Sequence, residues 1–211
     1  MRLLIARHGE TEENLRSICQ GQTAGTLTRR GVAQCLQLGD RLKDCPITHI
    51  YSSDQLRARR SAELMMSSSG CKAPLVLDER LRERAFGRWE GHPFVELPPL
   101  EEEPNEIETV EAIAERLQSF LEELKQRHSN TEDLVLLMGH GFTMRVLEAL
   151  LMGTTAYTRR VSSASVRGWS TSLVGNAVAR VATLSDWRAR SLTGRSTLLR
   201  HVTGTRTSSV A

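Results

Sequence analysis

Apolar positions along the chain alternate between short continuous runs and stripes at helical spacing. The first run, "RLLIA", breaks off at Arg7, His8 and Gly9. It predicts a buried strand whose end carries two side chains able to bear charge. The polar stretch after it has no helical hydrophobic pattern. Val32, Cys35, Leu36, Gly39 and Leu42 then recur at i, i+3, i+4, i+7 spacing, predicting a helix through "RRGVAQCLQLGDRLKDC". Thr28 stands at its cap position and Pro46 ends it. "ITHIYSS" reads as a second strand. Asp54 stands where an N-cap belongs, ahead of a helix through "QLRARRSAELMM".

"PLVL" predicts a short third strand. "ETVEAIAERLQSFLEELKQR" is the clearest helix, with Val110, Ile113, Leu117, Phe120, Leu121 and Leu124 on one face. "LVLLM" is apolar throughout, as expected of a strand buried on both faces, and Gly139 breaks it. "FTMRVLEALLMG" follows as a helix closed by Gly153, and "NAVARVATL" as a last strand. Strands separated by helices imply an α/β fold, a mostly parallel sheet covered on both faces. One domain is expected over residues 1–187.

Two segments leave this rhythm. "AFGRWEGHPFVELPPLEEEPN", from Ala85 to Asn105, is rich in proline and acid, the composition of a functional or irregular loop. The end, residues 188–211, is rich in Arg, Ser and Thr, and a mobile tail is expected there.

Composition changes little in this picture. The chain has 211 residues, enough for a sizeable core, and only 4% aromatics, so Leu, Val, Ile and Met must fill that core. The net charge of +3 is uneven. Arg188, Arg190, Arg195, Arg200 and Arg206 lie in the tail without an acid, and the rest of the chain is slightly negative. No aromatic residues interleave with the basic ones, so no nucleic-acid partner is expected. Cys19, Cys35, Cys45 and Cys71 form neither a C-x-x-C pair nor a metal spacing, which suits reduced thiols. "MRLLIA" is short for a signal peptide, and no window approaches a membrane span of about 20 apolar residues. The expectation is a cytoplasmic protein with no membrane partner; the oligomeric state is open.

In open α/β sheets ligands collect at the carboxyl ends of the strands. After the first strand come Arg7, His8 and Gly9. After the second comes "SSDQLRA", which places Arg57 in the first turn of a helix. After "LVLLM" come Gly139, His140 and Gly141, and "LRERAFG" brings Glu83. Each fragment alone is an ordinary turn or a solvated helix charge. Two separate strands ending in a histidine beside glycine are harder to explain that way. Two arginines and two histidines can surround a tetrahedral dianion with donors. There is no phosphate-binding Gly-rich loop ending in Lys-Ser/Thr, no acid cluster for magnesium and no metal spacing of histidines. The pattern therefore points to a phosphoryl group handled without a metal or other cofactor. One histidine could attack as a neutral nucleophile, its outer nitrogen fixed by a backbone carbonyl and its pKa lowered by Arg7 and Arg57. Glu83 could exchange the proton with the leaving oxygen and then with water.

These residues resemble the histidine phosphatase superfamily, also called phosphoglycerate mutase-like. "RHGET" from Arg7 to Thr11, followed by Asn14 and by Gln20-Gly21, resembles its opening signature. "LTRRGVAQ" resembles its first-helix pattern, "SSDQLRARRSA" its second-arginine motif and "LRERAFGRWEG" its acid motif. "IETVEAIAER" is similar to its Glu-Ser/Thr segment and "VLLMGHGFTMR" to its second-histidine motif, over about residues 2 to 187. The resemblance implies a three-layer α/β/α sandwich. It implies His8 as the phosphorylated nucleophile, with Arg7, Arg57 and His140 as the phosphate pocket and Glu83 as proton donor and acceptor. Asn14, Gln20, Gly21 and the backbone of Gly141 would line the substrate side. The chain departs from the pattern at Ile107, where the family usually has glycine, and in "TAGTLT", which has no Asp or Asn.

Mutases of the family carry a longer insertion after the acid motif; here only the stretch from Arg84 to Ile107 separates Glu83 from Glu108. That favours a phosphatase acting on a small phosphorylated metabolite, with sugar mono- and bisphosphates as candidates. Mutase-type transfer and an inactive phosphate-binding module remain the alternatives. Arg84 and Arg88 flank the expected pocket, where they could meet a second phosphate or be ordinary surface charges. His92, in the irregular loop, could touch substrate. His49, His128 and His201 read as structural or solvated, Glu101 to Glu103 as a solvated loop face, and Trp89 as a residue that could pack the loop down.

Overall fold

The apolar runs become strands β1 (Arg2–Arg7), β2 (Ile47–Ser52), β3 (Leu75–Leu77), β4 (Leu134–Gly139) and β5 (Arg180–Thr183). The computed structural model describes residues 1–99, 102–129 and 131–152, together with the backbone of β5. The strands form one sheet in the order β3-β2-β4-β1-β5. β1 to β4 are parallel, and β5 pairs antiparallel with β1. Residues 188–211, Gly153 and His201 lie outside the described residues.

The helices are α1 (Glu12–Leu15), α2 (Arg29–Leu42), α3 (Leu56–Ser69), α4 (Val110–Arg127) and α5 (Gly141–Leu151). Because side chains alternate along a strand, each strand feeds two cores. Leu3 and Ile5 of β1 join Val135 and Leu137 of β4 against α4 and α5. Leu4 and Ala6 join Leu136 and Met138 against α2 and α3. The result is the expected three-layer α/β/α sandwich with a mostly parallel sheet. All six residues of β4 are buried, as a central strand covered on both faces requires.

Neighbouring strands β1 and β4 lead into helices on opposite faces, α2 and α5 respectively. Their loops therefore diverge and leave a crevice at the carboxyl edge of the sheet. Among the described residues, no helix is long and apolar enough to cross a membrane.

Four local expectations need correction. The buried stripe of α2 is Gly31, Cys35, Leu38, Gly39 and Leu42, with Leu36 exposed. Gly31 sets this phase: a Cβ there would lie 2.0 Å from the carbonyl oxygen of Glu10, so α2 meets the loop after β1 on a glycine face. Asp54 does not cap α3; Gln55 occupies the N-cap position, and Asp54 makes a two-pronged ion pair with Arg82. The guanidinium fork offers that carboxylate more than one backbone N–H would. The polar stretch after β1 contains a helix, α1, held by a capping box between Thr11 and Asn14 rather than by apolar burial. Finally, β4 runs through Gly139, and the chain leaves the strand only at His140.

Candidate active site

The sheet edge brings His8 and His140 together. β1 and β4 are in register with Arg7 opposite Gly139, and the His8 N–H donates to the Gly139 carbonyl at 2.9 Å. One more residue on each chain sets the two rings 5.2 Å apart, centroid to centroid, at an interplanar angle of 57°. Both are buried.

His8 is fixed from behind. Its Nδ1 lies 2.7 Å from the Gly9 carbonyl oxygen, so Nδ1 carries the proton and the Nε2 lone pair faces away. The Gly9 N–H donates to Ser61 Oγ at 3.0 Å, and Ser61 Oγ donates to the Arg57 carbonyl. A Cβ at Gly9 would lie 2.5 Å from the Gly31 carbonyl oxygen and 2.9 Å from Cys35 Sγ. Glycine at 9 therefore admits α2 rather than a ligand. Burial, then Arg57 and Arg7, hold the His8 pKa well below the usual histidine range. Burial, then Arg57 and His8, do the same to His140. Both nitrogens of the His140 ring are buried, with no hydrogen-bond partner among the described residues.

Arg57 is 1% exposed despite its charge. Its Nη atoms donate to the Gly21 carbonyl at 2.7 Å and to that of Thr23, while its buried Nε has no acceptor among the described residues. Burial lowers its pKa, opposed by Glu83. Arg7 is pushed down to about 10, by burial first and by Arg145 and Arg57. Gly141 lies against it: a Cβ there would stand 3.4 Å from Arg7 Cζ.

Glu83 reaches the same crevice from the turn after β3. Its Oε1 accepts from the Thr143 N–H and hydroxyl, both at 3.1 Å, and from the Arg84 N–H at 3.0 Å. Its Oε2 accepts from the Phe142 N–H at 3.1 Å. Phe142 and Thr143 begin α5, so Glu83 closes the N-terminus of a helix whose own N-cap residue, His140, makes no side-chain cap. That division leaves the His140 ring turned toward His8.

The other expected residues take mixed places. Gln20 is buried with its Oε1 unpartnered among the described residues, and a Cβ at Gly25 would touch both that atom and Arg57 Cδ. Gly21 has a φ of 48°, and its carbonyl anchors Arg57. Asn14 commits its Oδ1 to the Thr11 N–H inside the capping box. Three residues escaped sequence reasoning. Gln55 Oε1 takes the Glu83 N–H at 2.8 Å, and Gln55 Nε2 donates to the Gly21 carbonyl. Glu90 Oε1 accepts from the Gln22 and Phe86 N–H groups, tying the Gly21 loop to the acid loop. Ser61 holds Gly9. Polar residues at irregular spacing left no periodic signal for them.

The arginines beyond Glu83 are otherwise engaged. Arg84 is buried, forms a two-pronged pair with Glu103 and lies over the Phe86 and Phe142 rings. It is not available to a second phosphate, and Glu103 is not a solvated loop residue. Desolvated charges persist only when paired, which is why the two come together. Arg88 is exposed beside Glu106 at 2.8 Å. His92 is exposed and faces Glu96 at 3.1 Å, and Trp89 packs the loop against Cys19, Phe86 and Ile107. Ile107, the departure from glycine, thus serves the loop's own small core. Cys19, Cys35, Cys45 and Cys71 are free thiols.

Comparison with known proteins places the chain in a family. The family model for the histidine phosphatase superfamily (branch 1) matches residues 3–170. The protein named "Probable phosphoglycerate mutase GpmB" from Escherichia coli K12 is 31% identical over 175 residues, covering 76% of this chain and 79% of the relative. The structure of Bacillus stearothermophilus YhfR superimposes with a TM-score of 0.70 at 26% identity, over 85% of this chain and 89% of that one. The alpha-ribazole phosphatase from Shigella flexneri gives 0.66 at 26% identity, over 75% and 84%. With two histidines, two arginines and a carboxylate at one sheet edge, and a family match spanning most of its length, this chain belongs to the histidine phosphatase superfamily, branch 1.

Proposed function

We propose that the chain is a phosphomonoester hydrolase that acts on a small phosphorylated metabolite through a phosphohistidine on His8, with no metal ion taking part. The observation that carries the reading is the His8 ring itself. It is buried, kept neutral by its surroundings, and held by the Gly9 carbonyl so that Nε2 faces His140 and the arginines. A neutral imidazole with one lone pair directed into a cationic pocket is a nucleophile for phosphorus.

In the first half-reaction Nε2 attacks phosphorus as the ester P–O bond breaks. Arg7, Arg57 and His140 bind the phosphoryl oxygens, where charge builds in the transition state. Glu83 gives its proton to the leaving oxygen. Its Oε2, with a single donor against the three on Oε1, has room for that proton. Gly9 accepts from Nδ1–H throughout and stabilises the positive charge that grows on the ring. In the second half Glu83 takes a proton from water as the water oxygen attacks phosphorus. The P–N bond breaks, leaving orthophosphate, neutral His8 and protonated Glu83. Gln20 and the Gly141 backbone face the substrate side.

The short loop from Arg84 to Ile107 supports hydrolysis over mutase transfer, since a mutase must keep water from its phosphoenzyme while the substrate turns. The relative named a mutase keeps transfer as a second reading. Incubation with p-nitrophenyl phosphate tests the nucleophile. An acid-labile, base-stable phosphoryl group should form on the wild type and disappear in His8→Ala. A label that persists in His8→Ala, or neither label nor turnover across a panel of sugar mono- and bisphosphates, overturns the proposal. The latter outcome leaves a binding module. Adding 3-phosphoglycerate to the phosphoenzyme separates the two reactions: orthophosphate release supports hydrolysis, and bisphosphoglycerate formation supports transfer.

A further inference from the structure

The opposite edge of the sheet holds a second group of ligating side chains, outside the proposed reaction. His49 lies in β2, His128 is the C-cap of α4, and Asp133 immediately precedes β4. One potential ligand atom from each lies within 4.8 Å of the other two. The His49 and His128 rings meet edge to face, 4.5 Å between centroids. His128 Nδ1 is 2.7 Å from Asp133 Oδ2, and its Nε2 is 3.0 Å from Tyr51 Oη. Thr131 Oγ1 donates to the same Asp133 oxygen at 2.7 Å.

His49 Nδ1 is what sets the group apart from a simple hydrogen-bond relay. It is buried and has no hydrogen-bond partner among the described residues. A buried ring nitrogen left without a partner beside a second imidazole and a carboxylate is placed as a ligand would be. We propose that His49, His128 and Asp133 form a binding site for a divalent transition-metal ion, Zn2+ in preference to Mg2+ or Ca2+. Two imidazoles and one carboxylate suit a borderline ion, whereas the harder cations take oxygen ligands. Ligand atoms around tetrahedral zinc stand about 3.3 Å apart, so side-chain rotation of roughly an ångström assembles the set. A water molecule completes the coordination.

The proton balance is internal. The Nδ1 proton of His128 moves to Nε2, which then donates to Tyr51 Oη, and Nδ1 and the carboxylate turn their lone pairs to the ion. Tyr51 becomes the outer partner that fixes the tautomer. The ion would tie the end of α4 to β2 and to the start of β4. Six residues of β4 place it roughly 20 Å from the His8 pocket, so it acts on stability and not on the reacting atoms.

The test uses the full chain and Zn2+ in calorimetry, with Co2+ as a spectroscopic probe. The wild type should bind one ion at this site, show visible Co2+ absorption of a low-coordinate nitrogen and oxygen site, and melt at a higher temperature with Zn2+. Among the described residues, His49→Ala removes no hydrogen bond from Nδ1. It should fold, lose the Co2+ signal and weaken Zn2+ binding by more than the roughly hundredfold that losing an outer partner can cost. Tyr51→Phe should weaken binding by about tenfold. No ion bound by the wild type, or equal binding by wild type and His49→Ala, overturns the proposal.

Discussion

Glu83→Gln keeps the size of the side chain and removes its capacity to carry a proton. Two effects can be sized separately. For stability, the glutamine oxygen can replace Oε1 and keep its three donors, but the new NH2 then faces the Phe142 N–H. A buried donor set against a donor costs about 1–3 kcal/mol. At about 2–4 °C per kcal/mol for a chain of this size, the melting temperature should fall by roughly 2–12 °C. For activity, proton transfer to a leaving group contributes about 10²–10⁴-fold.

The activity effect depends on the leaving group, which a merely structural role would not reproduce. A sugar phosphate expels an alkoxide and needs the proton. p-Nitrophenyl phosphate expels a stable phenolate and does not. Rapid mixing of Glu83→Gln with p-nitrophenyl phosphate should therefore give a near-normal burst of phenolate. Slow turnover follows, because water still lacks its base, and the phosphoenzyme accumulates. With a sugar phosphate the burst itself should slow. Equal slowing of the burst for both substrates, or a sugar-phosphate kcat/KM within about threefold of wild type, refutes the role given to Glu83.

Three further predictions follow from the same contacts. Ser61→Ala removes the acceptor for the Gly9 N–H, so it should lower kcat by roughly tenfold or more with little change in KM; an unchanged kcat rejects Ser61 as a positioning residue. Glu103→Ala strips buried Arg84 of its partner and should cost about 3–5 kcal/mol in urea unfolding; a loss below about 1 kcal/mol shows that the loop is not pinned there. His8 and His140 both have folded pKa values well below 6.5, so the unfolded chain binds protons first as pH falls. Stability should be flat from this source above about pH 6.5 and fall below it by up to about 1.4 kcal/mol per pH unit per histidine. Asp133, held down at about 2, loses its contribution only below the unfolded aspartate value near 4, outside that window. Urea unfolding at pH 7 and pH 5.5 checks the slope, and equal stability at the two values rejects it.

Legibility in the sequence followed the physics of each signal. "LVLLM" and the α4 stripe declared themselves because burial of apolar surface repeats along an element. His8 and His140 were legible because a strand's end is marked by where its apolar run stops, and two runs stopped alike. Asp54 was misread because N-cap preference is local, whereas the Arg82 partner that claims it is brought in by the turn after β3. Arg84 read equally as a second-phosphate contact or a surface charge, and Glu103 as solvated, because charge alone does not reveal a pair formed across a loop. Gln55, Ser61 and Glu90 were invisible for a related reason. Each acts through backbone N–H and C=O groups of distant loops, and those leave no trace in residue type.

The same contacts explain why the helix that carries His140 and the residue proposed as the acid cannot be separated. The first N–H groups of a helix need acceptors, and an N-cap side chain ordinarily supplies one. At α5 that position belongs to His140, whose ring is turned to His8 instead. Glu83 supplies the missing acceptors from another segment, through Phe142 and Thr143, while the one Thr143 hydroxyl proton is shared between Glu83 and the Arg82 carbonyl 2.8 Å away. Closing α5 therefore sets the carboxylate beside the crevice in the same event that fixes His140. A carboxylate placed by helix closure needs no further device to aim it. The cost falls on stability, because any change that lets Glu83 leave also frays the helix that carries His140.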